Sequence, residues 1–122
     1  MRPKTNTDIE LKRNGNSERS RTEIEEAARF IVMRWLELHG YSGDSEMKIG
    51  GETMSIVRGS GKDLLICIRS SVLPDKPPSL TDAERKELAS RALDLGLTAF
   101  VATVEMDNSL RLVDSIRVQL VV

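Results

Sequence analysis

The sequence predicts an α/β domain with a mixed central sheet, and three observations carry that expectation. Apolar residues recur with helical period over residues 22–39 and again over 81–95. The period changes to two between residues 46 and 70. A connection long enough to hold the second helix then separates two apolar strands, which allows them to pair in parallel through a right-handed crossover.

Residues 1 to 20 hold Ile9 and Leu11 isolated among polar residues, with five basic and three acidic side chains. So little apolar surface cannot offset the entropy of ordering, so a flexible polar arm is expected there. A single domain is expected over residues 21–122. In its first helix Ile24, Ala27, Ala28, Ile31, Val32, Trp35, Leu36 and His39 share one stripe, Thr22 and Glu25 match a capping box, and Gly40 is the stop. Phe30 and Met33 lie off that stripe, which suggests a second covered side.

Three strands follow as a meander. Glu46 to Ile49 is the first, Gly50-Gly51 a bend, Glu52 to Arg58 the second, Gly59-Ser60-Gly61 a hairpin turn, and Asp63 to Ser70 the third. Leu64, Leu65, Ile66 and Ile68 make the third strand apolar on both faces, which places it centrally. Pro74, Pro77 and Pro78 forbid a ladder over residues 71–79. Thr81 and Glu84 cap a second helix with Leu88, Ala92 and Leu95 inward and Gly96 as terminator. Thr98 to Glu105 reads as a buried strand, Asp107-Asn108-Ser109 as a turn, and Leu110 to Val122 as one or two further strands in which Ile116, Val118, Leu120 and Val122 alternate with Ser115, Arg117 and Gln119 as a half-exposed edge.

Composition narrows the chemistry. The chain has 122 residues, with 18 Lys+Arg against 19 Asp+Glu, one Cys and one His. Near-neutrality argues against a dedicated nucleic-acid coat, and a lone cysteine excludes an internal disulfide and a zinc finger. No apolar run reaches the length of about 20 residues that a membrane helix needs. No membrane partner and a cytoplasmic setting are therefore expected.

Three stretches carry a family likeness. The first helix holds Glu25 and Ala28 and closes in Gly40-Tyr41; Gly51-Glu52-Thr53-Met54-Ser55-Ile56 opens the second strand; Ile66-Cys67-Ile68-Arg69 sits in the third, with Cys67 thirteen positions after Met54. From about residue 25 to 105 the chain resembles the PD-(D/E)-x-K nuclease superfamily, and more closely the small bacterial predicted-endonuclease family related to archaeal Holliday junction resolvases. The resemblance implies a restriction endonuclease-like core. It also implies a metal-binding Asp, a metal-binding Glu and a catalytic Lys where this chain has Met54, Cys67 and Arg69. Magnesium gains nothing from a thioether or a neutral thiol, and an always-protonated guanidinium is no base. No catalytic set is intact and no metal site is expected, although Glu25 and Glu52 are available as surviving carboxylates. Glu46-Met47-Lys48 is a literal E-x-K with Asp44 just before it, but the neighbouring strand offers it no acid.

Other candidates have structural readings. His39 suits the carboxyl end of a helix, Cys67 suits a core, and Gly59-Ser60-Gly61-Lys62 suits a hairpin better than a phosphate loop. Arg58, Lys62, Arg69 and Lys76 are the residues expected to meet a nucleic-acid backbone, though no aromatic is interleaved to stack bases. The leading expectation is a catalytically silent nuclease fold (a pseudo-nuclease) that binds DNA, another nucleic acid or a protein partner, with no cofactor. One alternative is a divergent endonuclease using Mg²⁺ and relocated carboxylates. Another is a homodimeric interaction subunit without nucleic-acid contact.

Overall fold

The computed structural model describes residues 20–59 and 61–122. Apart from Ser20, the expected arm lies outside the described residues. The elements are α1 (Arg21–Leu38), β1 (Ser42–Ile49), β2 (Glu52–Gly59), β3 (Lys62–Val72), α2 (Asp82–Leu95), β4 (Thr98–Met106) and β5 (Arg117–Leu120). Their five strands form one sheet in the order β1-β2-β3-β4-β5. The β1/β2, β2/β3 and β4/β5 pairs are antiparallel, and β3/β4 is parallel from Leu64↔Thr98 to Val72↔Met106. This is the expected α/β chain with a mixed sheet and a central third strand, but β3 runs past its expected end, with Ser71 and Val72 paired to Glu105 and Met106, because the first proline comes only at position 74.

Alternation along β3 divides the interior into two layers. Leu64, Ile66 and Val72 join α1 residues Ile24, Ala28, Val32 and Leu36, together with Ala102, Val104 and Met106. Leu65 and Cys67 face the opposite way, onto Leu88 and Ala92 of α2 with Ala99, Val101 and Val121. One helix on each face explains why a strand of this length is apolar on both sides. α1 lies over β3 and β4. Val57 of β2 joins the α1 layer, whereas Glu46, Lys48, Thr53 and Ser55 on the same face of β1 and β2 line the cleft described below.

Local chemistry accounts for most boundaries. Gly50 and Gly51 both have positive φ, 60° and 82°, as the two-residue turn joining Ile49 to Glu52 requires. Thr81 and Glu84 form the expected capping box, and Gly96 ends α2 in the left-handed region. Other expectations are corrected. α1 is capped by Ser20 with Glu23 rather than Thr22 with Glu25. Both pairs satisfy the capping pattern, and the earlier start brings Arg21 into the helix, where its guanidinium reaches Glu25 and the Ser70 carbonyl. β1 begins at Ser42, four residues before the expected start, with a register irregularity between Ser42 and Ser45. That irregularity obscures the period of two.

Gly59 is the last residue of β2 and pairs with Lys62, so it is not a turn residue. A β-carbon there would collide with the edge of the Tyr41 ring, so close packing explains the glycine. Leu95 is half exposed, whereas Leu88 and Ala92 are buried. In the carboxyl-terminal segment Ile116 and Val118 pack inward as expected, but Leu120 and Val122 are exposed and Val121 is buried in their place. β5 ends at Leu120, and the Val121 amide donates to the Ala99 carbonyl, so the alternation breaks there.

Candidate functional site

β3 carries Cys67 and Arg69 two residues apart, hence on one face, and that face looks toward α2. Met54 of β2 joins them there, 4% exposed, while Cys67 is fully buried. Arg69 Nη2 donates to Glu52 Oε1 at 3.0 Å and lies 3.3 Å from Glu84 Oε2, tying β2, β3 and the first turn of α2 together. The space among these groups is a recess of about 70 Å³, lined by Ile49, Met54, Arg69, Leu80, Glu84 and Leu88 among others. Burial pushes the Cys67 thiol up to about 11, against a lowering by Arg69 and with a further rise from Glu52. Burial opposes the Arg69 charge, yet Cys67, Glu52 and Glu84 together raise its affinity for the proton. The Thr81 amide, followed by Arg69, holds the Glu84 carboxyl below the usual carboxylate range.

A magnesium ion does not fit these positions. A thioether, a thiol kept neutral and a guanidinium supply no hard oxygen ligand, and Glu52 is engaged by Arg69. Among the described residues no group of three or more His, Cys, Asp or Glu is placed to hold a metal ion.

A larger cavity lies on the opposite face. It has a volume of about 490 Å³ and opens between the amino-terminal half of α1 and the uncovered part of β1 and β2. Glu25, Glu26 and Arg29 form its helical wall; Glu46, Lys48, Thr53 and Ser55 line its β1 and β2 side; Ile68 and Ser70 line it from β3. The pairings Glu46↔Ser55 and Lys48↔Thr53 place these polar side chains on one surface. Glu46 is held by Arg29 at 2.8 Å and Glu25 by Arg21 at 3.1 Å. The Ser70 hydroxyl is buried with no hydrogen-bond partner among the described residues. Periodicity placed none of this, because a polar floor beneath a helix depends on where the helix lies across the sheet.

The nominated residues are thus distributed unevenly. Glu25 and Glu52 line the same cleft, with Glu52 at the rim of both cavities, while Met54, Cys67 and Arg69 lie across the sheet from Glu25. Glu46 and Lys48 of the literal E-x-K also line the larger cleft. The four basic candidates are not brought together. Arg58 and Lys62 lie at the β2/β3 hairpin end, with Arg58 paired to Asp63. Arg69 is seven residues along β3, about 23 Å at strand rise, and Lys76 pairs with Glu105 near the far end. His39 caps α1: its Nδ1 lies 2.8 Å from the Trp35 carbonyl oxygen and its ring 4.2 Å from that of Trp35. No helix among the described residues is long and apolar enough to cross a membrane.

No protein-family model, no curated protein and no solved structure matches this chain. The nuclease likeness rests on the sequence stretches alone.

Proposed function

We propose that this chain is a catalytically silent domain with a nuclease-like core, and that it acts by binding a protein partner in the cleft beside α1. One observation carries the reading. Of the positions that would hold a nuclease's ligands, Cys67 is buried, Met54 and Arg69 line only a small recess, and the Arg69 charge is committed to Glu52 and Glu84. A guanidinium engaged in this way contributes to the fold rather than to positioning water. The roomy, open site is the other face, where hydroxyls and charges line one cleft. Separation of Arg58 and Lys62 from Arg69 and Lys76 favours a protein over a nucleic acid, because phosphate binding needs cations along one surface.

A second reading, a divergent magnesium-dependent nuclease, draws on the presence of both Glu25 and Glu52 in that cleft. Incubation with linear, single-stranded and four-way branched DNA in magnesium or manganese separates the two. We expect no cleavage and no saturable binding at about 0.15 M salt. Metal-dependent cleavage abolished by Glu25→Gln or Glu52→Gln overturns the proposal in favour of the nuclease. Salt-sensitive DNA binding lost on substitution of Arg58 and Lys62 overturns it in favour of a nucleic-acid partner.

A further inference from the structure

Resting on that binding reading, the cleft beside α1 also indicates what it recognises. Its six charged lining residues are Glu25, Glu26, Glu46, Glu52, Arg29 and Lys48. Three of the carboxylates are already neutralised, Glu25 by Arg21, Glu46 by Arg29 and Glu52 by Arg69. Among the described residues this leaves one carboxylate, Glu26 on the α1 wall, and one ammonium, Lys48 on β1, without an ion-pair partner. The Ser70 hydroxyl lines the same cleft; Ser70 is 1% exposed, and its hydroxyl has no hydrogen-bond partner among the described residues. A buried hydroxyl left unsatisfied is destabilising, and a bound polar group removes that penalty.

We infer that this cleft binds a zwitterionic group, a cation and a carboxylate held close together, with Glu26 receiving the cation, Lys48 the carboxylate and the Ser70 hydroxyl a hydrogen bond. A purely anionic ligand would leave Glu26 unanswered, and a purely cationic one would leave Lys48 unanswered. The volume of about 490 Å³ exceeds what an amino acid fills, so the group can arrive free or as neighbouring basic and acidic side chains of a polypeptide.

The test uses the full chain and a ruler of ω-amino acids: glycine, 4-aminobutyrate and 6-aminohexanoate, with butylammonium and butyrate as singly charged controls. A blocked tetrapeptide containing adjacent lysine and glutamate distinguishes a polypeptide source from a free small molecule. Amide chemical shifts report the site. We expect saturable shifts at Thr53, Ser55 and Ser70 for at least one zwitterion and weaker binding of both controls. Affinity should fall about tenfold in Glu26→Gln and in Lys48→Met, and severalfold in Ser70→Ala. Glu26 and Lys48 are exposed, so their variants should fold, and an unchanged amide spectrum away from the cleft verifies this. Controls that bind as well as the zwitterions, variants that bind like the parent chain, or no saturable shift from any probe would each overturn the inference. Absence of DNA cleavage alongside such a result would leave the binding reading standing, whereas magnesium-dependent cleavage removes both.

Discussion

Cys67 and Arg69 differ by two positions in sequence and share a face, but their environments assign them opposite electrical states. The thiol is fully buried among Leu65, Leu88 and Val101, and desolvation keeps it neutral. The guanidinium is oriented by carboxylates from two other elements and stays charged. Because the native thiol titrates near 11 rather than 9.0, the folded chain retains a proton that the unfolded chain loses between those values. Its contribution is complete below pH 9 and disappears as pH rises toward 11, a loss of up to about 3 kcal/mol. Urea unfolding at pH 8, 9.5 and 11 should show this fall, and Cys67→Ala should have a shallower slope over the same range. Equal slopes would mean that the thiolate is tolerated in the core. Native Cys67 should also resist thiol reagents at pH 8 and react only on unfolding.

At the scale of elements, termini are decided by side chains that answer unsatisfied backbone groups. Ser20 accepts from the Glu23 amide at 3.1 Å, and the Glu23 carboxylate returns a bond to the Ser20 amide at 3.0 Å. Ser20→Ala should therefore cost about 1 kcal/mol in denaturant melts. Thr22→Ala, inside the helix, should cost far less, and a reversal of that order would restore the later start. Boundaries of this kind are legible in sequence to within a couple of residues. The role of Gly59 was not, because the ring that excludes a side chain there belongs to Tyr41, eighteen positions away and on the other side of β1 in the chain order.

For the molecule as a whole, the parallel β3/β4 pair is the centre, and both outer strands leave an edge. β5 is short and carries Arg117 and Gln119, features that discourage edge-to-edge pairing. Its last residue, Leu120, and Val122 beyond it remain exposed, while Val121 is buried in the α2 layer. Deletion of residues 113–122 removes Val121 and unpairs Phe100 to Thr103 of β4. The shortened chain should melt several degrees lower and self-associate, as read by calorimetry and light scattering. A monomer of unchanged Tm would show that β5 contributes nothing to stability.

The sequence by itself determined the α/β class, the helix periods, the Gly50-Gly51 and Gly96 turns, and the central position of β3. Each follows from neighbours in the chain or from a repeating apolar pattern. It also identified Met54, Cys67 and Arg69 as residue types unfit for magnesium, since ligand chemistry depends on residue type. Only the tertiary structure decided that the face carrying them is closed by α2, that Glu25 lies across the sheet from Arg69, and that Ser70 lines a cleft beside Glu26 and Lys48. The reason is geometric: alternation specifies that two strand faces differ, but which helix covers which face, and how far across the sheet it reaches, depends on packing between elements distant in sequence.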